Sequence, residues 1–362
     1  MKISDIKSIE LEITTKCNAR CPQCVRNYYG AHTWTKLPIL DMSLEDFKKS
    51  MPKEIWKTLK QVKFCGTYGD PLMHKDLTKF IKYIKKQNPN IVININTNGG
   101  IRSVAWWKDL AKMLGSNDKV YFGIDGLEDT SPLYRIDVDY WKVLDNLKAF
   151  NSAGGTSIWS YLVFKHNEHQ VEDARALSKE LGCSDFVIKS TSRFVDKQHN
   201  PVDRTPVMNG VYEVVYWLEP AVGQYRNSGY DEINGIVEEH GSWEDYLNNT
   251  SIDCMSKRDG YTYVAANGEM FPCGFLSDRM YGFETENHKD HKTMLDMFDQ
   301  LGGRHKINIF ETPMEEIVEK GWFPAIEKSW DTNLIQRCAN QCGTKSNLVK
   351  MANNELKKSW SY

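Results

Sequence analysis

The sequence predicts an α/β protein, and three observations carry that expectation. Up to about residue 195, short β-branched runs alternate with amphipathic stretches at intervals of about 30 residues, the pattern of parallel βα units. Apolar residues make up 41% and aromatic residues 12% of the 362-residue chain, enough for a sizeable core. A cysteine-rich loop follows directly on the first apolar run, Ile9, Leu11 and Ile13, which places chemistry at the end of a strand.

Taken in order, six strands are expected, at residues 8–13, 61–66, 91–97, 119–124, 157–164 and 185–189. Between them Leu77, Phe80, Ile81 and Ile84, and later Trp141, Leu144 and Leu147, recur three and four apart, the spacing of a buried helical stripe. Ser43 followed by Asp46 marks the start of the helix after the cysteine loop, and Pro52 interrupts or ends that helix. Past Phe194 turn signals accumulate, at Asn200-Pro201, Asn209-Gly210 and Asn227-Ser228-Gly229, around an aromatic stretch from Val211 to Leu218. Residues 196–252 therefore read as a linker with a helix. The run from Tyr261 to Cys273 reads as a hairpin in which Asn267-Gly268 forms a type I′ turn. Residues 346–362 read as a short polar helix or tail.

Charge and cysteine content narrow the function. Lys plus Arg number 46 against 48 Asp plus Glu, so no electrostatic grip on nucleic acid or anionic membrane is expected. No segment approaches the roughly 18 apolar residues of a membrane span, and the start shows no cleavage signal, which points to the cytoplasm. Nine cysteines, an odd number, then favour metal binding or redox chemistry over a disulfide framework. Cys65 and Cys183 stand apart from the others and read as small buried thiols.

The first cysteine group lies in Glu12-Ile-Thr-Thr-Lys-Cys17-Asn-Ala-Arg-Cys21-Pro-Gln-Cys24. Three thiols on one loop can hold three irons of a 4Fe-4S cube and leave the fourth open, whereas a closed zinc site needs a fourth protein ligand. No further cysteine or histidine follows until His32. The motif resembles the C-x3-C-x2-C loop of the radical S-adenosylmethionine (radical SAM) enzymes. That resemblance implies a partial (β/α)6 TIM-type barrel over residues 1–195. It also implies an open iron that chelates S-adenosylmethionine, and reductive cleavage to a 5'-deoxyadenosyl radical that abstracts hydrogen from substrate. An electron donor such as flavodoxin or ferredoxin follows from the same chemistry.

The second group is Cys254, Cys273, Cys338 and Cys342. The hairpin draws Cys254 and Cys273 together, and a helical turn would put Cys338 and Cys342 on one face. By spacing alone these four permit a structural zinc site as well as a cluster. They resemble the shortened SPASM domain called twitch, which implies a small α+β iron-sulfur domain at 253–345 with one auxiliary 4Fe-4S cluster.

The same resemblance nominates cofactor contacts. In Cys65-Gly-Thr-Tyr-Gly-Asp-Pro, Gly69 and Asp70 match the glycine-rich segment at the methionine amino group, with aspartate where glutamate is usual. Asn98, in Asn96-Thr-Asn-Gly, matches a segment that approaches the cofactor. Gly123-Ile-Asp125-Gly with Tyr134-Arg135 is similar to the Ser-x-Asp-Gly and Tyr-Arg pattern in which serine and arginine hold the cofactor's carboxylate, except that Gly123 replaces the serine. Arg135 is then the better carboxylate ligand, and Asp125 is a candidate catalytic or cofactor-binding residue. Lys165 and Ser190, after the fifth and sixth strands, stand where ribose and adenine are held. His166 and His169 read as surface residues beside a helix start. Gln23 stands where relatives often carry an aromatic next to adenine.

Relatives with this layout include small-molecule dehydrogenases and peptide maturases that make a thioether, epimer or carbon-carbon link. Only 16 residues precede Cys17, so a peptide leader would be read by a separate partner or by the barrel itself, which favours a small molecule or short peptide. The non-enzyme alternative is a zinc or iron-sulfur binding interaction module.

Overall fold

The computed structural model describes residues 1–196, 202–227, 229–282, 285–344 and 360–361. The Asn200-Pro201 turn, Ser228, and the expected tail except Trp360 and Ser361 lie outside the described residues. Besides a two-residue hairpin of Asn27–Tyr28 with His32–Thr33, the strands are β1 (Ser8–Leu11), β2 (Gln61–Phe64), β3 (Val92–Thr97), β4 (Lys119–Gly123), β5 (Ser157–Val163), β6 (Asp185–Ser190), β7 (Thr205–Met208), β8 (Val214–Leu218), β9 (Tyr261–Val264), β10 (Met270–Phe271) and β11 (Trp360–Ser361). The first six fall where the sequence puts them, ending up to two residues early or one residue late. The chain divides into two compact units, one of Met1–Lys16, Lys36–Ile93 and Gly235–Ser346, the other of Cys17–Thr35, Asn94–Asn234 and Asn347–Tyr362.

In the first unit β1 runs parallel to β2 on one side and to β9 on the other, and β10 closes the edge antiparallel to β9. β1 alternates strictly: Ile9 and Leu11 are buried at 1% and 0% exposure, while Glu10 and Glu12 point to the opposite face. The helix Leu77–Gln87 buries the expected stripe of Leu77, Phe80, Ile81 and Ile84. Helix Leu44–Ser50 starts at Ser43, whose hydroxyl accepts from Asp46 N at 3.3 Å, and it ends before Pro52. The turn between β9 and β10 differs from the expected type I′. Gly268 has a positive φ of 89° but Asn267 does not, and Ala265 N bonds Glu269 O at 2.8 Å, the geometry of a longer turn with a glycine bulge.

In the second unit β4, β5 and β6 are parallel, β4 pairs with the end of β3, and β11 lies antiparallel to β6. Trp107, Phe122 and Phe150 pack together behind β4. Of the expected stripe on helix Tyr140–Ser152, Leu144 and Leu147 are buried, but Trp141 is 57% exposed and bonds Glu128 through its ring N–H at 2.9 Å. Its place on the stripe is taken by Val143 and Phe150. The aromatic stretch after Asn209 is strand β8, paired with β7 in a hairpin, so this part of the expected linker is β-structure. The helices Gly229–His240 and Trp243–Asn249 complete the linker region.

Candidate functional site

The cysteine loop belongs to the second unit and is irregular backbone, so side chains do the work of holding its shape. Arg20 N bonds Ile136 O at 3.0 Å, and its guanidinium reaches Gly30 O, Ala31 O and the Asp137 carboxylate. Cys24 N closes a turn on Cys21 O at 3.1 Å, and Asn27 Nδ2 donates to the same carbonyl at 3.2 Å. Cys21 is buried, Cys17 and Cys24 are half-buried, and none of the three is in a disulfide.

Two side chains face these sulfurs, one from a strand end and one from the end of the short helix Ser131–Tyr134. Asn98, one residue past β3, places Nδ2 at 2.8 Å from Asn18 Oδ1 and 3.9 Å from Cys17 Sγ. Arg135 places Nη1 at 3.8 Å from Cys21 Sγ and donates from Nε to Asp125 Oδ2 at 2.6 Å. Asp125 is fully buried and also accepts from Leu162 N at 2.7 Å. Burial raises its pKa and the Arg135 charge opposes that rise. Burial likewise pushes the Cys21 thiol up to about 11, again against Arg135. A Cβ on Gly123 would overlap Nη2 of Arg135, so the guanidinium occupies the space a serine would need.

The remaining nominees of this unit separate. Ser190 is buried at the end of β6. Gln23 is tied to the same region, accepting from Thr191 Oγ1 at 3.1 Å while its carbonyl takes Arg193 Nη1 at 2.7 Å. Lys165 instead points into an exposed ion pair with Glu219. His166 stacks on Phe164 with ring centroids 5.3 Å apart, and burial lowers its pKa to about 4, so it is a neutral packing residue.

Gly69 and Asp70 lie in the first unit. A Cβ on Gly69 would overlap the Thr14 carbonyl, so only glycine lets the loop after β2 press against the chain leaving β1. Asp70 N bonds Lys16 O at 2.9 Å, and its carboxylate caps the turn Pro71–Met73 by accepting from Leu72 N at 3.0 Å. Glu12, which the motif reading passed over, organises this loop. Its Oε1 accepts from Tyr68 N at 2.7 Å and Gly69 N at 3.0 Å, and its Oε2 accepts from the Tyr263 hydroxyl at 2.6 Å. Burial raises its pKa to about 7 despite those bonds. Glu10 beside it takes the Tyr261 hydroxyl and the Cys65 thiol. The available signal was two acidic residues alternating with Ile9, Leu11 and Ile13 in a strand.

The four later cysteines, also of the first unit, line one small cavity with Trp330 and Arg337. Cys254 precedes helix Met255–Asp259, Cys273 precedes helix Gly274–Tyr281, and Cys338 and Cys342 share a face of helix Gln336–Cys342. Backbone N–H groups at the two helix starts point at the sulfurs of Cys254 and Cys273. Burial raises all four thiols, and those of Cys273 and Cys338 rise further through repulsion by their neighbouring sulfurs, so the thiols converge without forming a disulfide. Such a set fits an all-cysteine metal centre. Among the described residues no group of three or more His, Cys, Asp or Glu side chains is arranged around a single-ion position.

Comparisons with known proteins agree with the cysteine loop. Residues 11–177 match the family described as the Radical SAM superfamily, and this stretch is a radical SAM domain. The chain is 24% identical over 286 residues to the tungsten-containing aldehyde ferredoxin oxidoreductase cofactor-modifying protein of Pyrococcus furiosus, covering 74% of this chain and 71% of that one. It is 23% identical over 310 residues to GTP 3',8-cyclase of Helicobacter pylori, covering 82% and 88%. The fold is shared with Streptococcus suis SuiB bound to precursor peptide SuiA, at TM-score 0.54 and 12% identity over 86% of this chain. This chain spans 64% of that SuiB chain, less than two thirds. It is also shared with anSMEcpe with bound AdoMet, at TM-score 0.53 and 16% identity over 93% and 86% of the two chains. Among the described residues no helix is long and apolar enough to cross a membrane.

Proposed function

We propose that the protein is a radical SAM enzyme in which Cys17, Cys21 and Cys24 hold a 4Fe-4S cluster with one iron open to S-adenosylmethionine, acting on a small-molecule or short-peptide substrate. The observation that carries this reading is the three-thiol loop, with Asn98 and Arg135 nitrogens turned toward two of its sulfurs. When bound, cluster and S-adenosylmethionine supply one-electron cleavage to a 5'-deoxyadenosyl radical and hydrogen abstraction. The chain's own part is to fix the loop through Arg20, to orient Cys17 and Cys21, and to hold the Gly69 loop rigid through Glu12. Gly69, Asp70, Asn98, Asp125 and Ser190 are the cofactor contacts we propose. Lys165 is the weakest nominee, since its ammonium is already engaged by Glu219.

The cavity of Cys254, Cys273, Cys338 and Cys342 is assigned to an auxiliary 4Fe-4S cluster, in a twitch-like domain at 253–345. Two substrate classes follow from the relatives: the names of the sequence relatives denote work on GTP and on a cofactor, and SuiB was solved with a precursor peptide. Flavodoxin or ferredoxin is the electron donor we propose. Anaerobic reconstitution tests the reading. About eight irons per chain are expected, falling to about four when Cys17, Cys21 and Cys24 are replaced by alanine. Zinc in place of iron at both sites would support a binding module instead.

A further inference from the structure

Arg135 makes contacts that gripping the cofactor's carboxylate does not account for. Its Nε is committed to Asp125 at 2.6 Å, its Nη2 lies over the Cα of Gly123, and its Nη1 is 3.8 Å from Cys21 Sγ. The guanidinium carbon sits 5.6 Å from the Tyr134 ring centre, which fixes its plane from one side. The side chain is 22% exposed and its partner Asp125 fully buried, so water screens neither well. The four residues come from different places: the cysteine loop, the end of β4, the segment just after it, and the residue following Tyr134. The guanidinium uses the room beside the side-chain-free Cα of Gly123, where a Cβ would crowd Nη2.

We propose that Arg135 is a positioning residue that donates to the Cys21 thiolate and raises the reduction potential of the N-terminal cluster, with Asp125 orienting the guanidinium and Gly123 leaving room for it. This rests on the reading that Cys21 is a cluster ligand. A hydrogen-bond donor and positive charge beside a ligating sulfur favour the reduced, more negative cluster, and second-shell donors of this kind set cluster potentials. Asp125 tempers the effect: its carboxylate offsets part of the guanidinium charge while fixing its plane. The two partners should therefore move the potential in opposite directions, which a purely structural role does not predict.

The test is an EPR-monitored redox titration of the anaerobically reconstituted holoenzyme. The N-terminal cluster is identified by the change of its signal on adding S-adenosylmethionine, and the auxiliary cluster serves as an internal reference. Arg135→Gln should lower the potential, so that at a fixed poise the ratio of reduced to oxidised N-terminal cluster falls about threefold, or about 30 mV at 59 mV per tenfold change for one electron. Gly123→Ala keeps the arginine but displaces it, and should shift the potential the same way. Asp125→Asn should shift it upward. Iron content and the auxiliary potential should be unchanged in all three, which separates this effect from misfolding. If Arg135→Gln and Gly123→Ala leave the potential unmoved while S-adenosylmethionine affinity drops, the guanidinium holds the carboxylate and the proposal is overturned. If the wild-type protein shows no cluster signal that answers to S-adenosylmethionine, it is the parent reading that fails.

Discussion

The two cysteine groups solve different problems with the same side chain. The loop of Cys17, Cys21 and Cys24 is irregular backbone with two half-buried sulfurs; one backbone N–H, that of Ala19, lies 3.4 Å from Cys17 Sγ, and two side chains, Asn98 and Arg135, also reach its sulfurs. The cavity of Cys254, Cys273, Cys338 and Cys342 is built on three helix ends, and backbone N–H groups point at its sulfurs. Side-chain donors can be varied by evolution one residue at a time, whereas backbone donors come with the fold. An open site that binds and releases a cofactor suits the first arrangement. A centre that is filled once and kept suits the second.

The largest effect that would sharpen this comparison comes from removing thiols. Alanine at Cys17, Cys21 and Cys24 should abolish formation of 5'-deoxyadenosine while sparing the other centre, whereas alanine at Cys273 or Cys342 should lower the melting temperature, because those sulfurs line a cavity between helices that a bound metal centre would tie together. Equal loss of stability in both sets would erase the distinction drawn here. Next in size is Gly69→Ala. Its Cβ would overlap the Thr14 carbonyl, so backbone must move, and a loss of about 3 kcal/mol is expected in urea unfolding.

A pH-dependent effect follows at Glu12, whose pKa is raised from its ordinary 4.5 to about 7 by burial. The folded value lies above the unfolded one, so this group's contribution to stability is fully present below about pH 4.5 and is lost as pH rises through about 7, amounting to about 3 kcal/mol. Glu12→Gln cannot ionise, so its unfolding free energy should lack this decline between pH 5 and 8. A parallel decline in both proteins would remove Glu12 as the cause. The smallest effect is at Lys165: replacing it with alanine breaks only an exposed ion pair, and S-adenosylmethionine affinity should change by less than about twofold. A larger drop would return Lys165 to the cofactor contacts.

How much of this was legible in the sequence depended on how local the cause was. The six strands and the stripe from Leu77 to Ile84 were readable because burial on one face writes its period into the chain. The hairpin of β7 and β8 was not, because Val214, Val215 and Trp217 are exposed and leave no inside-outside alternation to read. Trp141 misled for a related reason, being apolar in composition yet turned to solvent. At the site, the cysteines announced themselves by spacing. The contact between Gly123 and Arg135 did not, since the two are twelve residues apart and only the folded chain brings the guanidinium beside the glycine. Glu12 was hidden because its partners Tyr68 and Tyr263 are 56 and 251 residues distant.

The central claim is an open iron on the loop of Cys17, Cys21 and Cys24. Its most direct test is chromatographic assay of 5'-deoxyadenosine from anaerobically reconstituted protein given dithionite and S-adenosylmethionine. The account predicts slow accumulation that vanishes in the Cys17, Cys21 and Cys24 triple alanine variant. No accumulation from fully iron-loaded wild-type protein under any reducing condition would contradict it.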